Sequence, residues 1–178
     1  MAEIIKHPFF PVADSDSRVL ILGTFPSVTS REVQFYYGHP QNRFWRLLAA
    51  IFEEPVPATL EEKIAFLHRH HVALWDVVAS CKIQQSQDAS IRHAEPQDIP
   101  SLVEKTKIRC ILCNGSAAFR LYQTHFGNTL DLPVLGLPST SPANAAWSLE
   151  RLLPLWREAL LNANDGGSKK DPTSPGEF

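Results

Sequence analysis

Hydrophobic residues recur along this chain in two rhythms, and the switch between them marks out its elements. Short, unbroken apolar runs read as buried strands: Val19 to Leu22, Val72 to Val78 (interrupted only by Asp76), Ile108 to Cys113, and Pro133 to Gly136. Between them apolar residues return every three or four positions, as one face of a helix requires. Phe44, Leu47, Leu48 and Ile51 form one such stripe, Ile64 and Leu67 a second, and Ile99, Leu102 and Val103 a third. Phe119, Leu121 and Tyr122 follow, and then a long stripe from Trp147 through Leu152 and Trp156 to Leu160, which Pro154 is expected to bend. Thr59 with Glu62 three residues on is a capping box that starts the second helix. Strands alternating with helices predict an α/β fold: a three-layer α/β/α sandwich with a central, mainly parallel four-stranded sheet.

The remaining segments are irregular. Ala2 to Ser17 reads as an arm kept extended by the prolines of His7-Pro8-Phe9-Phe10-Pro11. Ser80 to Pro96, with Ser86, Asp88 and Arg92, reads as a long polar loop. From Asn162 to Phe178 the chain turns to Gly, Ser, Lys, Asp and Pro, so residues 1–161 are expected to form one domain and 162–178 a disordered tail.

Three strand ends carry unusual chemistry. Val19 to Leu22 breaks into Gly23-Thr24-Phe25-Pro26-Ser27, followed by Tyr36-Tyr37-Gly38-His39-Pro40-Gln41-Asn42-Arg43-Phe44-Trp45. The third strand stops at Asn114-Gly115, and the fourth delivers Leu137-Pro138-Ser139-Thr140-Ser141-Pro142-Ala143-Asn144. Parallel strands bring these ends to one sheet edge, where an open α/β fold places its ligand.

Composition narrows the field. A length of 178 residues with net charge −2 suits one ordinary domain and shows no overall basic footprint, so any phosphate contacts must be local. Met1-Ala2-Glu3 does not begin a secretory signal, no apolar run approaches the ~20 residues that span a bilayer, and a cytoplasmic location is expected. Cys81, Cys110 and Cys113 are too few for a disulfide framework, and Cys110 and Cys113, three apart on a strand, face opposite sides. His68, His70 and His71 have no carboxylate or cysteine at a ligand spacing, so helix-end capping is the expected role and no metal or cofactor is assigned.

The three strand-end loops, in this order, resemble the motifs of the uracil-DNA glycosylase superfamily. Its hypoxanthine-DNA (deoxyinosine) branch is nearest, with the mismatch-specific uracil glycosylases as near relatives. The resemblance runs from about Arg18 to Trp156, and its strongest parts are His39 to Trp45 and Leu137 to Asn144. It implies a monofunctional glycosylase that flips deaminated bases out of DNA and hydrolyses their N-glycosidic bond to an abasic site, initiating base excision repair. The implied partner is DNA, with hypoxanthine, uracil and xanthine as bases and a monomer as the working unit. Asn42 maps onto the catalytic asparagine of the hypoxanthine branch. Gly23, Thr24, Phe25, Tyr37 and Asn114 map onto the base pocket, with Tyr37 as the stacking aromatic and Gly38 leaving room beside it. Pro26, Ser27, Ser139, Thr140, Ser141, Pro142 and Ala143 map onto DNA contacts and the wedge. Two departures stand out. Phe25 holds the place of an acid or amide in many relatives, and Leu137 that of a His or Asn; both losses imply a slow enzyme.

The chemistry follows from the residues themselves. A departing base needs hydrogen-bond donors aimed at its developing charge, and water must be held on the opposite sugar face. Hypoxanthine and uracil present a carbonyl beside an N–H, which the carboxamide of Asn114 could read. No lysine lies in the three loops, which speaks against a Schiff-base step. Other readings stand beside these: Asn42 as a helix cap, Asn114 as a turn residue, Tyr37 as a core aromatic, and Asp76 as a structural acid. A non-cleaving binder of flipped or single-stranded bases, or a free-nucleoside hydrolase, would use many of the same groups.

Overall fold

The computed structural model describes residues 3–83 and 91–164. Its centre is a sheet of four parallel strands, β2 (Val19–Gly23), β3 (Val72–Asp76), β6 (Cys110–Asn114) and β7 (Val134–Leu137), in the order β3-β2-β6-β7. Burial on both faces explains why these strands read as continuous apolar runs. In β2, Val19 and Ile21 enter one core, while Leu20 and Leu22 enter the other.

The first core lies under α2 (Phe44–Phe52), α3 (Leu60–Arg69) and α6 (Leu149–Asn164), which supply Leu47, Leu48, Phe66, Leu67, Leu152 and Trp156. The second lies under α4 (Ile99–Glu104) and α5 (Ser116–Phe126), through Ile99, Ala118 and Tyr122. The three layers are therefore as expected, and the central sheet is parallel throughout. Cys110 and Cys113 do face opposite cores, and burial raises the Cys113 thiol to about 12. The Thr59–Glu62 capping box is complete, and among the described residues no helix is long and apolar enough to cross a membrane.

Several expectations are corrected. Val72 to Val78 is two strands: the chain bends at Val77, where the Val77 and Val78 amides donate to the Gly23 and Thr24 carbonyls (2.8 and 3.1 Å). Beyond the bend, β4 (Val78–Ile83) and β5 (Ile91–Pro96) pair antiparallel, so the expected polar loop is largely a hairpin. Its Ser86 and Asp88 lie outside the described residues. The N-terminal arm is not merely extended; β1 (Glu3–Lys6) pairs antiparallel with β4 to complete a second, three-stranded sheet, and Val12 bridges Leu74. A short helix, α1 (Val28–Val33), occupies part of the first strand-end segment. The last helix continues to Asn164, and the rest of the expected tail is outside the described residues.

Candidate active site

Parallel topology sends the ends of β2, β6 and β7 to one edge, with the end of β3 beside them. Gly23, the last residue of β2, packs so closely that a Cβ there would overlap Asp76 Oδ1 and stand 3.2 Å from the Tyr37 hydroxyl. This is a position where a bare backbone is required by its neighbours.

Tyr37 is held in a left-handed conformation, φ 55°, which a non-glycine residue adopts only under the pressure of its surroundings. Its ring stacks on Phe44 with centroids 4.0 Å apart. The hydroxyl is buried beside Asn114 without a hydrogen bond of good geometry, and burial, reinforced by the Asp76 carboxylate and only partly opposed by the Asn114 amide, pushes the phenol far above its ordinary range. Tyr37 is thus both an aromatic shelf and an unsatisfied donor at the sheet edge. The room expected from Gly38 goes elsewhere, because a Cβ there would collide with the Val33 side chain of α1.

Asn114 is buried, and both ends of its carboxamide engage Thr140. Nδ2 donates to Thr140 Oγ1 (2.9 Å), and Oδ1 accepts from the Thr140 amide (3.0 Å). One N–H and one lone pair of the amide remain. Thr140 is fully buried, so in this conformation it anchors its loop and cannot form the loop's contact surface. Arg43 completes the anchorage. Its Nε and Nη2 donate to the carbonyls of Thr140 (3.3 Å), Ser141 (2.7 Å) and Asn144 (3.2 Å), and its backbone amide donates to Thr140 as well. Burial lowers the pKa of this guanidinium. Trp156 Nε1 donates to the Pro138 carbonyl at 3.0 Å from below. Pro142 is left half-buried, and half-buried Ser139 and Ser141 with exposed Ala143 line a cleft of about 340 Å³ shared with Ser116, Asn144 and Trp147.

Asn42 Oδ1 accepts from the Phe44 amide at 3.0 Å, so from one residue before the N-cap position, held by Arg43, it satisfies the first free N–H of α2, while its Nδ2 is not used in that bond. Asn42 directly precedes Arg43, which holds Thr140, and Phe44, on which the Tyr37 ring stacks. Other expected site residues make structural contacts in this conformation. Phe25 packs in the second core, edge-on to His7 at 5.8 Å and beneath the Arg31 guanidinium. Pro26 and Thr24 are buried, and Ser27 caps α1 by accepting from the Ser30 amide. Two features escaped the sequence reading: the Arg43 fork, and a buried pair between His7 Nε2 and Asp76 Oδ2 at 2.7 Å. The first could have been suspected from an arginine inside a dense polar motif. The second had no signal, since its members are 69 residues apart.

The histidines at the end of α3 have carboxylate partners, Asp14 for His68 and Glu54 for His70; the His70 imidazole is the main cause of a lowered Glu54 pKa.

A three-layer parallel α/β domain with an aromatic side chain and an anchored Ser-Thr-Ser-Pro loop at one sheet edge has its candidate site where open α/β folds bind ligands. The chain belongs to the Uracil DNA glycosylase superfamily, whose family model matches residues 10–160, and it is a DNA glycosylase. It is 37% identical over 150 residues to a protein of Methanosarcina acetivorans named Hypoxanthine DNA glycosylase, covering 83% of this chain and 94% of that one. A Methanosarcina barkeri protein of the same name is 34% identical over 112 residues, 62% of this chain and 71% of its own. A solution NMR structure from Methanosarcina acetivorans, described as a candidate uracil DNA glycosylase, superposes with a TM-score of 0.77 at 33% identity, covering 90% of this chain and 99% of that one.

Proposed function

We propose that this enzyme hydrolyses the N-glycosidic bond of deoxyinosine in DNA, releasing hypoxanthine, and acts on deoxyuridine and deoxyxanthosine as further substrates. The observation that carries this reading is the 37% identity with the Methanosarcina acetivorans Hypoxanthine DNA glycosylase across nearly its whole length. The site chemistry agrees with it. A base extruded from the duplex meets the Tyr37 ring, and a mismatched or deaminated base is the cheapest to extrude. Asn114, fixed by Thr140, has an N–H left for the base carbonyl on which charge develops. Asn42 offers its Nδ2 and second Oδ1 lone pair to a water on the far face of the sugar. An amide positions that water without deprotonating it, so the rate relies on how easily the base leaves. Ser139, Ser141, Pro142 and Ala143 form the part of the last loop that can reach into the vacated stack and meet phosphates. Hydrolysis without a lysine nucleophile leaves an intact abasic site.

The test is digestion of duplexes carrying a single deoxyinosine, deoxyuridine or deoxyxanthosine at low salt, where phosphate contacts are least screened, followed by alkaline cleavage of abasic sites. Cutting at deoxyinosine is expected. Asn42→Ser keeps an oxygen that caps α2 but removes the carboxamide, so it is expected to fold normally and lose about 100-fold or more in rate. An Asn42→Ser protein that cuts as fast as the parent would remove Asn42 from the chemistry. Tight binding without any cutting would make the protein a binder of flipped bases, and cleavage of free deoxyinosine a nucleoside hydrolase.

A further inference from the structure

On the N-terminal arm, outside the site described above, an aromatic ring stands in water. Phe10 is 90% exposed, more than any other large apolar side chain among the described residues. Its backbone is nevertheless fixed. The Phe10 carbonyl accepts from the Tyr36 hydroxyl (2.9 Å), and Val12 exchanges two backbone hydrogen bonds with Leu74 (2.9 Å each). That bridge is antiparallel and β3 ends two residues after Leu74, so Phe10 lies level with the carboxyl end of β3. The ring lines a cavity of about 390 Å³, within the size range of small-ligand sites, together with Lys6, Trp75, Ser80 and Gln97. The indole N–H of Trp75 is buried without a hydrogen-bond partner. The Gln97 carboxamide is held only by a long bond from its Nε2 to the Val78 carbonyl (3.5 Å). Lys6 faces Ser80 across β1 and β4, and Lys82 lies diagonally beyond it on the same face. Neither lysine forms an ion pair among the described residues, although Glu95 stands opposite Ser80 on β5.

These groups match the parts of a nucleotide. An exposed ring offers a stacking face for any base, the indole N–H and the carboxamide suit a base edge, and the two ammonium groups suit phosphates. A purely apolar partner would cover the ring but leave the lysines and the buried N–H unmatched. The occupant follows from continuity with the site. His7 and Trp75, both walls of the cavity, contact or adjoin Asp76 at the end of β3. The arm lies one strand beyond β3 and β3 one beyond β2, so the cavity stands about 12 Å from a base held between the ends of β2 and β6, a span of about three stacked nucleotides. Resting on the glycosylase reading, we propose that the Phe10 cavity is a second nucleobase site. It takes an unpaired base of the damaged strand about three nucleotides from the extruded one. A base inside a duplex is stacked on both faces and paired along its edge, so it has nothing to offer this cavity. The site therefore gives the enzyme an extra hold on DNA that is single-stranded or melted beside the lesion.

The test is fluorescence-anisotropy binding of a labelled, undamaged oligonucleotide of about 15 nucleotides, long enough to cover both sites, as a single strand and as a duplex. Phe10→Ala removes a ring that is almost wholly in water, so the fold is expected to be unchanged by circular dichroism. It is expected to raise Kd for the single strand about tenfold, the loss of one base–aromatic stack, and Kd for the duplex by less than about twofold. Phe10→Trp keeps a stacking face and is expected to bind the single strand like the parent. Lys6→Ala should lower the slope of log Kd against log salt on the single strand by about 0.7, the share of one phosphate. The place of the base is read from single-stranded deoxyinosine substrates that carry one abasic spacer at successive positions on either side of the lesion. A spacer about three positions away on one side should slow subsaturating cleavage by the parent about tenfold and leave Phe10→Ala unaffected. Equal single-strand affinity in parent and Phe10→Ala, equal losses on strand and duplex, or cleavage indifferent to every spacer overturns the proposal. Parent dimers that Phe10→Ala abolishes, with strand binding unmoved, overturn it in favour of a second copy of the chain. A parent that cuts no deoxyinosine overturns the substrate reading alone, since the anisotropy comparison still decides this one.

Discussion

Tyr37 concentrates the energetic oddities of the site in one residue. Its backbone sits where a tyrosine pays a steric cost, and its hydroxyl is desolvated without a hydrogen bond of good geometry. Against these stands the stack on Phe44, itself wholly buried. Tyr37→Phe keeps the shelf and removes the orphaned donor, so it should raise stability by about 1 kcal/mol in urea denaturation. A loss of stability would mean that the hydroxyl has a partner after all. Tyr37→Ala should fold but lose at least about tenfold in deoxyinosine cleavage, because stacking on a base contributes roughly 1–3 kcal/mol. The sequence revealed the aromatic and its glycine neighbour. The left-handed backbone was hidden, because nothing in a Tyr-Gly dipeptide says which of the two residues bears the positive φ.

At the scale of elements, the site is a set of loops tied to rigid strands and helices by a few side chains. The loop after β7 is fixed from three sides: by Asn114 at the end of β6, by Arg43 at the start of α2, and by Trp156 in α6. The Arg43 fork spans three carbonyls, and a lysine has neither the shape nor the number of donors to replace it. Arg43→Lys should therefore cost about 2–3 kcal/mol in stability and slow cleavage more than it weakens binding to undamaged duplex. Equal losses in cleavage and duplex binding would instead make Arg43 a phosphate contact. The four parallel strands and the helices around them were legible because continuous apolar runs and three-to-four spacing are direct consequences of burial. The hairpin β4–β5 was not, since its polar outer residues resemble a loop. Nor was the bend at Val77, where the run stays apolar although the chain passes from one sheet to the other. Thr140 was legible as a motif residue, but its role was not. Burial by Asn114 turns an expected contact into an anchor.

At the scale of the whole molecule, the N-terminal arm joins the two sheets. β1 completes the small antiparallel sheet, the His7 amide donates to Ala79 across the bend (2.7 Å), and Val12 exchanges backbone hydrogen bonds with Leu74 of β3. His7 lies at the crossing, where its imidazole meets Asp76 as the chain leaves the large sheet. Removing one member of a buried pair strands the other, which typically costs about 3–5 kcal/mol, far more than the pair contributes when whole. His7→Ala should lose stability of that order through the exposed cost of Asp76, beyond the packing lost against Phe9 and Phe25. In an Asp76→Asn background the same change strands only a neutral amide and should cost less. A double-mutant cycle measured by urea denaturation should thus return a coupling of about 2 kcal/mol between the arm and the end of β3. Strict additivity would show that the arm holds the domain by packing alone, with its histidine and the strand-end carboxylate merely adjacent.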